Sequence, residues 1–199
     1  PPETILSHTF FMRQPEDFYK FYRDKILMKG TEKRPEPNAA HRKLAELEEK
    51  GKLTAVVTQN IDGLHQAAGS KTVYELHGSI LRNYCMKCGK AFDLDYMMES
   101  EDPVPKCDKC GGTIKPDVVL YEEGLDQMTI QKSIEAISEA DVLIIGGTSL
   151  VVYPAAGLID YFRGKKLVLI NKGATSRDSS ADLVITESIG EVLGAIKVN

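Results

Sequence analysis

The sequence predicts an α/β protein, a parallel sheet flanked by helices, with a small cysteine-bearing insert. Three observations predict it. Short, β-branched, almost wholly apolar runs alternate with stretches of helical spacing. Polar or glycine-rich segments stand directly after several of those runs. Two Cys-x-x-Cys pairs interrupt the alternation once, near the middle of the chain.

The elements follow in order. Glu16 to Met28 reads as an amphipathic helix, with Phe18, Phe21, Tyr22 and Ile26 at helical spacing and Pro15 suited to its first turn. Asn38 is the expected N-cap of a second helix whose apolar face is Ala40, Leu44 and Leu47, with Gly51 at its end. Leu53–Thr58 and Val73–Leu76 are strand-like, and the first is apolar enough to be buried on both faces. Beyond the cysteines come a strand at Val118–Leu120, a helix near Thr129–Glu139, a strand at Val142–Ile145 and a helix beginning near Pro154. Strands at Leu167–Ile170 and Leu183–Ile185 and a closing helix near Ile189–Ile196 complete the alternation. The expected division is a helical module at 1–37, an α/β body at 38–84 and 114–199, and a cysteine insert at 85–113.

Composition narrows the function classes. Hydrophobic residues make up 42% and charged residues 27% of the 199, ordinary for a globular protein. The net charge of −4 shows no basic surplus, so nucleic acid is not the expected partner. No apolar run approaches the roughly 20 residues that cross a bilayer, and no membrane association is expected. The chain opens on Pro1-Pro2 and reads as part of a longer protein.

Cys85-x-x-Cys88 and Cys107-x-x-Cys110 stand 18 residues apart. Two such knuckles bring four thiolates around one Zn²⁺, and four thiolates leave no position open for catalysis, so the zinc is expected to be structural. Lys87, Lys90, Lys106 and Lys109 offset the charge of such a centre. Two disulfides, free thiols or an iron–sulfur centre are the alternatives. Paired spacing points to metal in a reducing, cytoplasmic compartment.

Three segments stand where strands end: Gln59-Asn60-Ile61-Asp62, His77-Gly78 and Gly147-Thr148-Ser149. Open α/β sheets bind ligands outside the carboxyl ends of their strands. Each segment alone has a plainer explanation. The first could cap a helix, the histidine could be structural, and Gly-Gly-Thr-Ser lacks the dinucleotide fingerprint. Their joint occurrence favours a site. Asn171-Lys172-Gly173 follows a later strand, where an adenosine half would lie, or forms an ordinary turn.

In that order, together with Pro37–His41 and Val151–Ala155, these motifs resemble the sirtuin family over nearly the whole chain. The resemblance implies a Rossmann-like domain with a small zinc-ribbon and helical module. It implies an NAD-dependent protein-lysine deacetylase yielding nicotinamide, 2′-O-acetyl-ADP-ribose and free lysine on acetylated protein substrates. His77 would be the general base, a task imidazole performs near neutral pH. Asn60 and Asp62 would hold the nicotinamide carboxamide, with Ile61 between them, and Gln59 the ribose. Gly147, Thr148 and Ser149 would contact ribose and phosphate. Asn171, Lys172 and Gly173 would hold the adenosine ribose, and the backbone near Ile189 would meet adenine. Val118 and Val119 would pair with the peptide as an added strand.

The chain departs from the family pattern in two places. The Gly-Ala-Gly-x-Ser and Phe-Arg-Gly motifs do not occur in it, so a sheet short of its first strand is expected. Tyr121-Glu122-Glu123 stands where relatives often read Phe-Gly-Glu. Sirtuins that remove acidic acyl groups carry Tyr-x-x-Arg on the small-domain helix. The matching Tyr19-Lys20-Phe21-Tyr22 lacks that arginine, which implies substrate contact by Tyr19 and Tyr22 and a preference for neutral acyl groups. A zinc-stabilised acyl-peptide or nucleotide-binding module and a mono-ADP-ribosyltransferase are the alternative functions.

Overall fold

The computed structural model describes residues 1–30 and 34–198. The chain divides into two compact units. The first comprises Pro1–Pro35, Asn60–Gly63 and His77–Leu125, and the second Glu36–Gln59, Leu64–Leu76 and Asp126–Asn199.

Three short helices open the first unit: α1 (Pro2–Ile5), α2 (His8–Arg13) and α3 (Pro15–Phe21). Ser7 caps α2 by accepting from the Phe10 N–H. Where one helix was expected through residue 28, α3 gives way to a π-turn at Tyr22–Ile26, closed by the Leu27 N–H donating to the Tyr22 carbonyl at 2.9 Å. The wider turn leaves both Tyr22 and Leu27 buried.

The strands of this unit pair antiparallel. Strand β3 (Gly78–Cys85) pairs with β4 (Ala91–Phe92) on one side and β5 (Ile114–Val118) on the other. The β3–β5 register shifts between Ser79 and Asn83. Asn83 is buried there, its amide donating towards the carbonyls of Ile80, Phe92 and Asp93. Helix α6 (Leu94–Glu99) is capped by Asp93. The expected strand at Val118–Leu120 therefore starts four residues earlier and lies in the antiparallel sheet. The division expected from sequence assigned residues 77–84 and 114–125 to the α/β body; here they pair with each other beside the cysteines.

One core serves the whole unit. Phe11, Phe18, Tyr19, Tyr22 and Leu27 from the helices pack with Cys85, Met97, Cys107, Ile114 and Leu120. Phe11, Phe18 and Tyr19 meet edge-to-face, Phe11–Phe18 at 4.9 Å and Phe18–Tyr19 at 5.3 Å, and Phe18 stacks on Tyr22 at 5.6 Å.

The second unit holds the parallel strands. Strand β1 (Val56–Thr58) pairs with β2 (Val73–Glu75), and β6 (Val142–Gly146), β7 (Lys166–Ile170) and β8 (Leu183–Ile185) form a second parallel sheet in that order. The single sheet expected from alternation is thus present as two pieces. Among the described residues nothing pairs with the free side of β6, and Val142 and Ile144 are 51% and 40% exposed.

Helix α4 (Ala39–Glu49) begins at the expected cap. Asn38 accepts from the N–H groups of Ala40 and His41, and the His41 side chain returns to the Asn38 N–H, closing a capping box. Helix α5 (Leu64–Ala67) follows β1, and α7 (Gln127–Glu139) is capped by Asp126. The helix expected at Pro154 is a 3₁₀ segment at Ala155–Tyr161, entered through a cis Tyr153–Pro154 bond. Helix α8 (Ile189–Gly194) packs on α4 around Ala40 and Leu193, with β7 supplying Ile170. Leu143, Ile145, Leu167 and Leu169 point to the other face, against Leu150, Ala156 and Ile159. Among the described residues no helix is long and apolar enough to cross a membrane.

Candidate active site and metal centre

In the first unit, β3 gathers three of the segments singled out from sequence. Gly78 opens the strand at φ +76°, and a Cβ there would stand 1.9 Å from the Asp117 carbonyl oxygen. Only glycine lets β5 come so close. That approach pairs Gly78 with Val118 and lets the Val119 N–H donate to the His77 carbonyl at 3.0 Å. His77, half-buried, is thereby tied at its own backbone to the strand expected to receive a peptide. Further along β3 the Ile80 N–H donates to the Ile61 carbonyl at 3.0 Å, which fastens Asn60–Gly63 to the same strand. Gly63 (φ +72°) turns the chain just after Asp62. Asn60 is exposed, and Ile61 and Asp62 are half-buried.

The second unit carries the remaining cofactor candidates. Gly146, Ile170 and Ile185 lie in register across β6, β7 and β8. The segments that leave those strands are therefore neighbours: Gly147–Ser149 after β6, Asn171–Gly173 after β7, and the approach to Ile189 after β8. Gly147 has φ +63° with open space around its Cβ position, and its N–H donates to the Ile170 carbonyl at 3.1 Å. Thr148 Oγ1 accepts from the Leu150 N–H at 3.1 Å, which bends the loop. Ser149 is exposed. The Asn171 N–H reaches the Ile185 carbonyl at 3.0 Å, and its side-chain amide donates to the Gly173 carbonyl at 2.8 Å. Lys172 is exposed and Ile189 half-buried. Gln59 also belongs to this unit, one residue after β1. Exposed glycine, hydroxyl and amide groups at the carboxyl ends of parallel strands fit a dinucleotide.

The cysteines meet as expected. All four Sγ atoms lie within 4.8 Å of one another, with Cys85–Cys110 at 3.5 Å and Cys88–Cys107 at 3.7 Å. Tetrahedral Zn–S bonds of about 2.3 Å place sulfurs about 3.8 Å apart, whereas a disulfide needs about 2.05 Å. Gly112 permits the approach, since a Cβ there would stand 2.8 Å from Cys85 Sγ. Burial pushes the Cys85 thiol up, but the N–H groups of Cys88 and Lys87 outweigh it and hold it down to about 6. At Cys110 the Gly112 N–H lowers the thiol, and burial with the neighbouring sulfurs outweighs that, pushing it up to about 12. Four sulfurs this close cannot all ionise without a cation among them. The site is built for one zinc ion and leaves no ligand position open.

Tyr19 and Tyr22 are placed otherwise than expected. They are 0% and 1% exposed, inside the aromatic core, and the Tyr19 hydroxyl donates to the Ile114 carbonyl. Burial pushes both phenols well above their usual range. Helical spacing put Tyr22 on the apolar face and the family resemblance singled out Tyr19; both lie in the core, Tyr19 against β5. Conversely, sequence reading gave no role to His8 and Lys115 and met Glu122 and Glu123 only as a departure from the family pattern. Glu123 meets His8 across 115 residues of chain, a proximity that no local spacing encodes.

The Sir2 family model matches residues 1–154 of the chain. The chain belongs to the Sir2 family. Among the relatives of this sirtuin, an NAD-dependent protein deacetylase of Clostridium acetobutylicum is 68% identical over 98% of this chain and 78% of its own. A protein of the same name from Clostridium perfringens is 63% identical over the same shares. A solved Sir2 structure bound to a propionylated peptide superposes with a TM-score of 0.87 at 41% identity, covering 96% of this chain and 81% of the other. Another, in complex with an inhibitor, 2′-O-acetyl-ADP-ribose and a deacetylated peptide, gives a TM-score of 0.84 at 40% identity over 95% and 81%. The Rossmann-like fold of the family is that of this sirtuin.

Proposed function

We propose that this sirtuin is an NAD-dependent protein-lysine deacetylase. It takes acetylated proteins as substrates and yields nicotinamide, 2′-O-acetyl-ADP-ribose and the free lysine. The observation that carries the reading is β3, which joins the Asn60–Asp62 segment, His77 and the Val118–Val119 strand through backbone bonds. Relatives above 60% identity bear the name NAD-dependent protein deacetylase.

Bound NAD supplies a ribose–nicotinamide bond whose cleavage activates the sugar towards the acetyl oxygen. The chain's residues bind and move protons around it. Asn60 and Asp62 hold the nicotinamide carboxamide, and Gln59 the adjoining ribose. Gly147, Thr148 and Ser149 offer backbone N–H and hydroxyl groups to ribose and phosphate. Asn171, Lys172, Gly173 and the backbone at Ile189 receive the adenosine half. His77 takes the proton of a ribose hydroxyl as general base. Val118 and Val119 present backbone to the peptide, so recognition reads little beyond the acyl-lysine itself. The zinc ribbon, residues 85–113, supports β3 and β5 without touching the chemistry. We place the protein in the cytoplasm, where thiols stay reduced for zinc.

The test uses full-length protein with an acetyl-lysine peptide and NAD, following nicotinamide and acetyl-ADP-ribose by mass spectrometry. Peptide-dependent release of both is expected, abolished by His77→Ala at unchanged zinc content. ADP-ribose left on protein, or peptide binding without nicotinamide release, would replace the reading with transferase or pure binding activity.

A further inference from the structure

Strand β3 does not keep the alternation of a plain strand. Ser79, Asn83 and Cys85 are 0%, 1% and 3% exposed, so by the period of two residue 81 belongs to the same buried row. Leu81 is instead 44% exposed. The cause is the register shift. Ser79 pairs with Asp117 and Asn83 with Pro116, so Ile80, Leu81 and Arg82 bulge out of the ladder between two consecutive residues of β5. The bulge sends Ile80 against the aromatic core and turns Leu81 out of it.

The bulge is pinned at three points. The Leu81 N–H donates to Ser79 Oγ at 3.2 Å, the Ile80 carbonyl accepts from the Asn83 amide at 3.4 Å, and Arg82 Nε donates to Asp117 Oδ2 at 2.8 Å. What it holds in turn is the Asn60–Gly63 segment of the same unit. The Ile80 N–H reaches the Ile61 carbonyl at 3.0 Å. Leu81 fills the space beside Gly63, where a Cβ would stand 2.6 Å from Leu81 Cδ1 and 3.4 Å from its Cγ. Asp62 thus lies between two residues that the bulge touches, Ile61 through backbone and Gly63 through the Leu81 side chain. Gly63, at φ +72°, has no side chain of its own to resist rotation, and Leu81 limits it from this side.

We propose that Leu81 is a positioning residue for the nicotinamide end of the cofactor. Turned out by the bulge, it backs the Gly63 turn and so holds the Asp62 carboxylate at the angle a carboxamide needs. The proposal rests on the deacetylase reading, in which Asp62 meets that carboxamide. Leu81 acts through the turn and not on the reacting atoms. It therefore sets the affinity for nicotinamide twice, as one end of NAD and as the released product. The adenosine half and the peptide are held by other residues, so Leu81 leaves their binding alone.

The test compares Leu81→Ala and Leu81→Met with wild type in full-length protein. Leu81→Ala is expected to raise the KM for NAD and the inhibition constant of free nicotinamide together, each about fivefold, a fraction of the roughly 100-fold that a 1 Å misplacement costs. The KM for an acetylated peptide and the calorimetric affinity for ADP-ribose, which lacks nicotinamide, stay within about twofold. Leu81→Met, of similar volume, keeps the KM for NAD within about twofold of wild type. Unchanged NAD and nicotinamide constants in Leu81→Ala overturn the proposal. So does an equal loss of peptide or ADP-ribose binding, which marks a general loosening of the protein. Wild-type protein that leaves the acetylated peptide intact defeats the deacetylase reading instead. Calorimetric affinity for NAD, weaker in Leu81→Ala against an unchanged affinity for ADP-ribose, then still reads the role of Leu81.

Discussion

Replacing Gly78 with alanine perturbs the one contact on which His77, Val118 and Val119 all depend. The new Cβ would stand 1.9 Å from the Asp117 carbonyl oxygen and 3.3 Å from Val118 Cα, both backbone atoms that cannot swing aside. At φ +76° the left-handed conformation alone costs alanine about 1–2 kcal/mol. Moving β5 away also weakens the Gly78–Val118 pairing and the Val119–His77 bond, at about 0.5–1.5 kcal/mol each. The sum is a loss of about 2–5 kcal/mol in the first unit. Gly147 is the internal control. It has φ +63° but open space around its Cβ position, so Gly147→Ala carries the conformational cost of about 1–2 kcal/mol alone. Urea unfolding of both variants in full-length protein reads the difference. Gly78→Ala should also impair peptide turnover. A stability loss at Gly78 no larger than at Gly147 refutes the close-approach argument.

Cys88→Ser, or a strong chelator, should strip the zinc and cooperatively unfold the first unit, with turnover lost in step with its near-ultraviolet signal; metal content and circular dichroism check this. Leu193→Ala, in the buried contact of α8 with α4, should cost about 2–5 kcal/mol by urea unfolding while zinc content stays at one per chain. Burial pushes the Glu48 carboxyl up, but the N–H groups of Lys71 and Thr72, each at 2.7 Å, outweigh it and hold it below 4.5. A carboxyl lower in the folded state than in the unfolded one stabilises above the unfolded value, and that contribution disappears as pH falls through the folded value. Glu48→Gln should therefore lower stability at neutral pH and flatten its decline below about pH 4.5, measured by urea unfolding across pH.

What was legible in the sequence was whatever short range decides. The Asn38 cap, the β7 strand and the four-cysteine spacing each depend on neighbours within a few turns of chain, and each stands where it was read. Long-range pairing was not legible. Val118 looked like one more parallel strand, whereas it closes β5, which runs antiparallel to β3 and approaches it closely at Gly78. Tyr22 was rightly placed on an apolar face, but spacing cannot say which element that face meets. That the parallel strands lie in two sheets, β1 with β2 and β6 with β7 and β8, was not legible either. The Glu123 contact with His8 of α2 had no signature at all.

The aromatic helices and two of the zinc cysteines share one core, and this has a consequence for the cell rather than for the fold. Free energy from metal binding is also free energy that keeps Phe18, Tyr19 and Tyr22 covered, so the holoprotein and its abundance are thermodynamically linked. When zinc is scarce, the first unit opens more often and proteases meet it in that state. Deacetylating capacity then follows zinc supply through protein lifetime, with no change in the rate of the individual folded molecule.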